Sequence, residues 1–114
     1  MTPLTSAQKE QVAVLLGWTP CGWHPEQFVR RIHSSFDCRG SCRPFEQVVT
    51  LEAMFAYCRE RSLGHDLTYW AVDGKYVAEI CVPDSIENIG DAEDPDPVAA
   101  LALALLTAHK EAAQ

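Results

Sequence analysis

The stretch Leu67-Thr-Tyr-Trp-Ala-Val-Asp-Gly-Lys-Tyr-Val-Ala-Glu-Ile-Cys81 carries the clearest β-sheet signal in the 114-residue chain. Two runs rich in β-branched and aromatic residues flank Asp73-Gly74, a dipeptide that favours a two-residue hairpin turn because both turn positions require positive φ. Both runs have apolar residues on each face, such as Tyr69 on one and Trp70 on the other. The pattern therefore predicts a small antiparallel sheet that is covered on both sides.

Helical patterns lie on either side of this sheet in the sequence. A first helix is predicted over about residues 5–16, because Thr5 and Gln8 fit a capping box. Apolar residues recur at helical spacing from about 44 to 62, which predicts a long amphipathic helix. Gly64 is the residue expected to end that helix.

The last helix is predicted from Asp96-Pro97, as N-cap and first helical residue, to about Ala112. An acidic loop is expected between Pro83 and this helix. Two long helices around a two-sided sheet predict an α+β fold with helices on both sides of an antiparallel sheet, a three-layer α/β/α sandwich. The length fits one domain, residues 1–114, and no linker or repeat divides it.

Four candidate metal ligands lie within residues 21–42, a segment rich in Gly and Pro: Cys21-Gly-Trp-His24 and Cys38-Arg-Gly-Ser-Cys42. Thiolates and imidazoles are the ligands that tetrahedral zinc prefers, and each pair fits one tight turn. The spacing predicts a structural zinc knuckle, because four protein ligands leave no position open for catalysis.

Other interpretations of this segment stay open. Cys38 or Cys42 could instead be a small buried hydrophobe. His33 is a substitute ligand, and residues 25–33 fit either a short helix or a strand.

Composition restricts the classes of function. The net charge of −7 argues against generic binding to nucleic acid, which depends on basic residues. No apolar run approaches the roughly 20 residues of a membrane span, and the N-terminal residues do not have the pattern of a signal peptide. We therefore expect a cytoplasmic protein, and the odd number of cysteines (five) fits a reducing compartment.

A surface for a partner is predicted around the knuckle. Tryptophan and arginine dominate interface hot spots, and both cluster here: Trp18, Trp23, Arg30, Arg31, Arg39 and Arg43. The alternative for the two tryptophans is packing in the core.

The order of elements resembles the small "ABA sandwich" proteins of phages and prophages. The features that carry the resemblance are Leu16-Gly-Trp18, the Pro44-Phe45 helix start, the Trp-bearing hairpin and the acidic segment before the last helix. It covers roughly residues 44–110, and the stretch 21–42 has no counterpart in that family. The resemblance implies a phage or prophage origin, hence the cytosol of a bacterial host, and no established reaction.

The function predicted from these features is that of a non-enzymatic accessory protein that binds a host or viral protein. No nucleophile paired with a base and no Gly-rich phosphate loop is recognisable in the sequence. One alternative is capture of a small anionic, nucleotide-type ligand by the arginines. Another is mimicry of nucleic acid by the acidic segment. The apolar last helix suits a homodimer or the core of the monomer.

Overall fold

The computed structural model describes residues 4–24, 26–30, 42–82 and 87–112, and these residues confirm the α+β class. The helices are α1 (Ser6–Leu15), α2 (Phe45–Val48), α3 (Leu51–Glu60) and α4 (Pro97–Ala112). The strands form two antiparallel sheets of three, which we call the first sheet and the second sheet: β1 (Trp18–Pro20), β2 (Gln27–Arg30) and β3 (Arg43–Pro44), then β4 (Gly64–Trp70), β5 (Lys75–Cys81) and β6 (Asn88–Asp94).

The second sheet has one buried face and one exposed face. Leu67, Ala78 and Ala92 lie side by side on the inner face, where Ala78 and its neighbour Ile80 are fully buried. The residues that alternate with these along each strand form the outer face, and all of them are exposed or half-buried. The described residues therefore show a sheet that helices cover on one side, and not the predicted sheet in the middle of three layers.

Helix α4 occupies the centre of the molecule instead. It packs on β5 and β6 and also contacts α1 and α3. At about 100° per residue, its buried side chains cover an arc of roughly 260°; they are Ala99, Ala100, Leu101, Ala102, Ala104, Leu105 and Ala108. A helix that is apolar over most of its circumference needs partners on more than one side, which explains its position between the second sheet and the other helices.

The contact between α4 and the second sheet depends on the absence of a side chain at Gly90. A Cβ atom at this position would lie 2.3 Å from the carbonyl oxygen of Ala104 and 2.7 Å from the amide nitrogen of Ala108. Glycine in β6 thus allows the backbone of the strand to approach the backbone of the helix directly.

The predicted ends of α1 and α4 are confirmed. Thr5 and Gln8 form the reciprocal capping box at the start of α1, and Gly17 follows the helix with a φ of 92°. At the start of α4, Asp96 Oδ1 accepts a hydrogen bond from the Val98 amide at 3.1 Å. Both helices are therefore delimited by local side-chain chemistry that the sequence makes visible.

The long helix predicted over residues 44–62 is two helices. Val49 is extended, with a φ of −101° and a ψ of 93°, and it separates α2 from α3. Thr50 then caps α3, because its hydroxyl accepts a hydrogen bond from the Ala53 amide at 3.1 Å. The β-branched run Val48-Val49-Thr50 explains the break, since such residues are poor helix formers and threonine favours the N-cap position.

Helix α3 ends at Glu60, before the predicted Gly64. Ser62 takes the left-handed conformation with a φ of 57°, and the Leu63 amide donates to the Cys58 carbonyl at 2.8 Å. This is a Schellman motif with serine in the place of the usual glycine. Gly64 is free to begin β4.

The hairpin and the acidic segment also differ from prediction. Residues 71–74 form a four-residue connection in which Gly74 has positive φ (64°) but Asp73 does not. The acidic segment is not wholly a loop, because Asn88–Asp94 pairs with β5 as the third strand of the second sheet. Cross-strand pairing here prevails over the poor strand propensity of Asp, Glu and Gly.

The first sheet lies within the segment 17–44, which includes the Gly- and Pro-rich stretch around the predicted ligands. Residues 27–30 are a strand, which decides between the two alternatives for this region. Phe28 is buried in the common core and Trp18 packs against that core, so these two side chains attach the first sheet to the helices. None of the helices in the described part of the chain has the length and apolar character of a membrane span.

Candidate metal centre

The turn between β1 and β2 places two of the predicted ligands. Cys21 follows β1 directly, and its amide donates to the Gln27 carbonyl at 2.8 Å, which closes the turn. His24 lies at the tip, and its carbonyl accepts a hydrogen bond from the Gln27 amide at 3.4 Å. Glu26 completes the reversal with a φ of 60°. The backbone of the hairpin therefore brings the Cys21 and His24 side chains to the same end of the first sheet.

The third ligand arrives from a distant part of the sequence. Cys42 immediately precedes β3, and Arg43 of β3 pairs with Phe28 of β2. This antiparallel pairing sets Cys42 beside the hairpin, 18 positions after His24. The first sheet thus brings together three of the four predicted ligands.

The three ligand atoms lie at distances that suit one metal ion. His24 Nδ1 is 3.6 Å from Cys21 Sγ and 3.3 Å from Cys42 Sγ, and all three atoms lie within 4.8 Å of one another. Tetrahedral zinc, with bonds of about 2.3 Å to sulfur and about 2.0 Å to nitrogen, holds such atoms about 3.5 Å apart. The geometry agrees with zinc bound through Nδ1 of the imidazole.

Gln27 adds a contact that the sequence did not point to. Cys42 Sγ lies 3.0 Å from Gln27 Oε1, with the thiol as donor. If a metal binds, Cys42 is a thiolate and accepts hydrogen bonds. The side-chain amide of Gln27 would then turn its NH2 group toward the Cys42 sulfur. Gln27 would then donate a hydrogen bond to the Cys42 thiolate and orient this ligand.

The other predicted ligands lie outside the described residues: Cys38 and the substitute ligand His33. Within the described part of the chain, Cys21, His24 and Cys42 are the one group of three His, Cys, Asp or Glu residues close enough to hold a metal ion. Cys21 and Cys42 are half-buried and His24 is exposed, so the site is at the surface.

The remaining cysteines have different surroundings. Cys58, on the buried face of α3, is fully buried in the core. Desolvation raises the pKa of its thiol, while the charges of Arg61 and Arg59 act in the opposite direction. Cys58 is accordingly a protonated core residue at neutral pH. Cys81 is half-buried at the end of β5.

The predicted partner-binding residues divide into two kinds. Trp18 is half-buried, and the guanidinium carbon of Arg30 lies 5.4 Å from the centre of its ring. We call β1, β2 and the turn between them the metal hairpin. Trp23, in contrast, is 67% exposed at its tip, and Arg43 is exposed in β3. Arg31 and Arg39 lie outside the described residues. Trp18 therefore belongs partly to the core, and Trp23 is the more exposed of the two tryptophans.

A groove of about 350 Å³ adjoins the metal group. Cys21 and Gln27 form part of one wall, and Phe28 and Phe45 contribute apolar surface. Lys9 of α1 lies at the groove with its Nζ 5.4 Å from the centre of the Phe45 ring. Because the ligand Cys21 and its neighbour Gln27 line the groove, order in the metal hairpin also sets the shape of this wall.

Comparisons with protein-family models, curated proteins and solved structures give no match to this chain. The resemblance to phage ABA sandwich proteins is therefore still a prediction, and the metal group is supported by its own geometry alone.

Proposed function

We propose that this chain is a non-catalytic binding domain for a protein partner, and that one structural zinc ion holds its first sheet. The observation that carries the proposal is the convergence of Cys21, His24 and Cys42, with sulfur-to-nitrogen distances of 3.6 and 3.3 Å. Two thiolates and an imidazole in this arrangement are a ligand set for zinc.

The small size of the first sheet supports a structural role for the ion. Its strands have three, four and two residues. Isolated strands of this length bury too little surface to be stable. A metal that joins the β1–β2 turn to the residue before β3 would connect all three strands, and its binding free energy would become folding free energy.

Cys38 is the proposed fourth ligand. Three cysteines and one histidine would fill the tetrahedron with protein atoms, as in structural sites, and would leave no position for a reactive water. This ligand set supports a binding role over a metal-dependent hydrolytic reaction.

The partner is proposed to be a protein. Exposed Trp23 and Arg43 beside the metal hairpin have the side-chain chemistry of interface anchors. A phage or prophage accessory role, with a host or viral protein as partner, follows from the family resemblance and stays a prediction. The same holds for a nucleotide-type ligand at the arginines.

Replacement of zinc by cobalt tests the ligand set directly. Thiolate-to-cobalt charge-transfer absorption grows with the number of thiolate ligands. We expect one metal per chain and an absorption typical of three thiolates, reduced to two in the Cys38→Ser variant. Cys42→Ser should weaken metal binding strongly, while Cys58→Ser, the matched control in the core, should leave the stoichiometry and the spectrum unchanged.

Two results would contradict the proposal. One is the absence of stoichiometric metal in reduced protein. The other is a cobalt spectrum that Cys42→Ser leaves unaltered.

A further inference from the structure

The outer face of the second sheet carries three carboxylates in one row across the strands. Asp66 of β4 pairs with Glu79 of β5, and Glu79 pairs with Asp91 of β6. All three side chains are exposed. Side chains that face each other in an antiparallel sheet have Cβ atoms about 5 Å apart, and like charges at this distance destabilise the sheet. We call Asp66, Glu79 and Asp91 the carboxylate row.

No cation of the described residues compensates the row. The two ion pairs in the described part of the chain are Arg61–Glu60 on α3 and Lys75–Glu93 at the far end of the sheet, each 3.8 Å long. The contact found for the row is the hydroxyl of Thr68, which donates to Asp66 Oδ2 at 3.4 Å. The row therefore retains its repulsion in the isolated chain.

A single metal ion does not suit this row. The row's oxygens do not converge as the Cys21, His24 and Cys42 atoms do, since that trio is the one such group among the described residues. Because strands lie about 4.8 Å apart, the row extends over about 10 Å. Several separate cations on one molecule fit this spacing better than one ion.

Strand β4 offers the edge at which such a molecule can bind. It is an outer strand of the sheet, seven residues long, and pairs with β5 without a bulge. It contains no proline, and Tyr69 and Trp70 at its end are 55% and 53% exposed. Natural edge strands are usually shortened, bulged or covered, because their unpaired backbone groups are a template for another strand.

We propose that the outer face of the second sheet is a docking surface for an extended basic segment of a partner protein, which adds to β4 as a further strand. This inference rests on the proposed role in binding a protein, and it specifies the partner. Backbone hydrogen bonds to β4 supply affinity, and side chains above the outer face supply specificity.

The outer-face residues of β4 define the sequence pattern of the basic segment that would bind to it. Asp66, Thr68 and Trp70 alternate along β4 on the outer face, so the added strand presents three side chains to them. An arginine or lysine opposite Asp66 reaches toward Glu79, and a second one opposite Trp70 makes a cation–π contact. A small β-branched residue fits opposite Thr68. The pattern is basic-x-threonine-x-basic, and it is the same in both strand directions.

Charge argues against a second copy of this chain as the occupant. The net charge is −7, and pairing two β4 strands would bring two carboxylate rows into one continuous sheet. A basic segment instead relieves the repulsion within the row.

The test uses the zinc-loaded full chain and the blocked peptide Thr-Arg-Val-Thr-Val-Arg-Val, titrated at about 0.05 M salt, where surface charges are weakly screened. We expect saturable one-to-one binding that weakens about tenfold or more in D66N/E79Q/D91N. The matched control, E10Q/E52Q/E60Q, changes the net charge equally on α1 and α3 and should bind as the unmodified chain does. D66N/E79Q/D91N should melt at the same or a higher temperature, so lost binding will not reflect lost folding.

Two N-methylated peptides separate strand addition from simple charge attraction. One is methylated on the odd residues and the other on the even residues, so that one of them blocks the amides that face β4. Strand addition predicts that only one of the two loses binding.

Four results would overturn the proposal: no binding of the peptide, equal loss in both carboxylate variants, equal binding of both methylated peptides, or stoichiometric binding of calcium alone. Self-association of the free chain through β4 would overturn it as well. Metal analysis of the same samples keeps this failure distinct from a failure of the zinc proposal.

Discussion

The two sheets of this protein are held together in different ways. The second sheet packs on α4 through Ala78, Ile80 and Gly90, and all three residues are buried. The first sheet has shorter strands, and Phe28 is its one buried side chain among the described residues. Burial of apolar surface stabilises the second sheet, whereas the first sheet gathers cysteine and histidine side chains at one end. Under the proposed function, the ligands for a metal would supplement the incomplete core of the first sheet, as metals do in other small domains.

The largest effect on stability is expected from Leu101→Ala in α4. Leu101 is fully buried between the second sheet and the other helices, so the substitution leaves a cavity in the common core. We expect a loss of about 2–5 kcal/mol in the free energy of unfolding. Chemical denaturation measures it, with Val14→Ala as the control, because Val14 is 52% exposed. A loss below about 1 kcal/mol would place the core elsewhere.

The same substitution at two glycines contrasts the two sheets. Gly90→Ala puts a Cβ atom against the backbone of α4, and we expect a loss of about 1–3 kcal/mol, since rigid neighbours must move. Gly22→Ala in the metal hairpin meets no atom within 4 Å, and should be neutral or slightly stabilising. Thermal unfolding of both variants gives the comparison. Equal losses of stability in the two variants would mean that the close approach of β6 to α4 does not require glycine at position 90.

A smaller effect, confined to the first sheet, is expected from Gln27→Leu. This variant keeps the approximate size of the side chain and removes the amide that contacts Cys42. Loss of an outer-shell partner typically lowers metal affinity about 10–100-fold. Competition with a chromogenic chelator measures the affinity, and Gln47→Leu, at an exposed position of α2, is the control. Unchanged metal affinity in Gln27→Leu would show that Gln27 does not contribute to the metal site.

Local chemistry explains what the sequence predicted correctly. The capping box at Thr5 and the Asp96 N-cap act within a few residues, and the Cys21–His24 pair lies within one turn. Such features depend little on the rest of the fold, and each was placed at its observed position.

Features that depend on tertiary packing were missed. The division of the long helix at Val49 was not predicted, because its apolar spacing continues through the break. The last helix was predicted to form one outer layer, whereas α4 is the central helix of the fold. Its alanine-rich sequence suits burial on more than one side.

The carboxylate row depended on the register of the hairpin. A two-residue turn at Asp73-Gly74 would have paired Glu79 with Thr68, whereas the four-residue connection pairs it with Asp66. A shift of two residues keeps every side chain on its face but changes its cross-strand neighbour. Sequence patterning alone fixes the face and leaves the neighbour undetermined.

Metal removal tests most directly whether the two sheets are stabilised differently. Hydrogen–deuterium exchange of the full, zinc-loaded chain would be followed before and after chelation. We expect the amides of the first sheet, such as the Cys21 amide bonded to the Gln27 carbonyl, to lose protection by at least about tenfold, while β5 and α4 retain theirs. Unchanged protection of the first sheet, or an equal loss in both sheets, would contradict a metal-held first sheet beside a self-sufficient core.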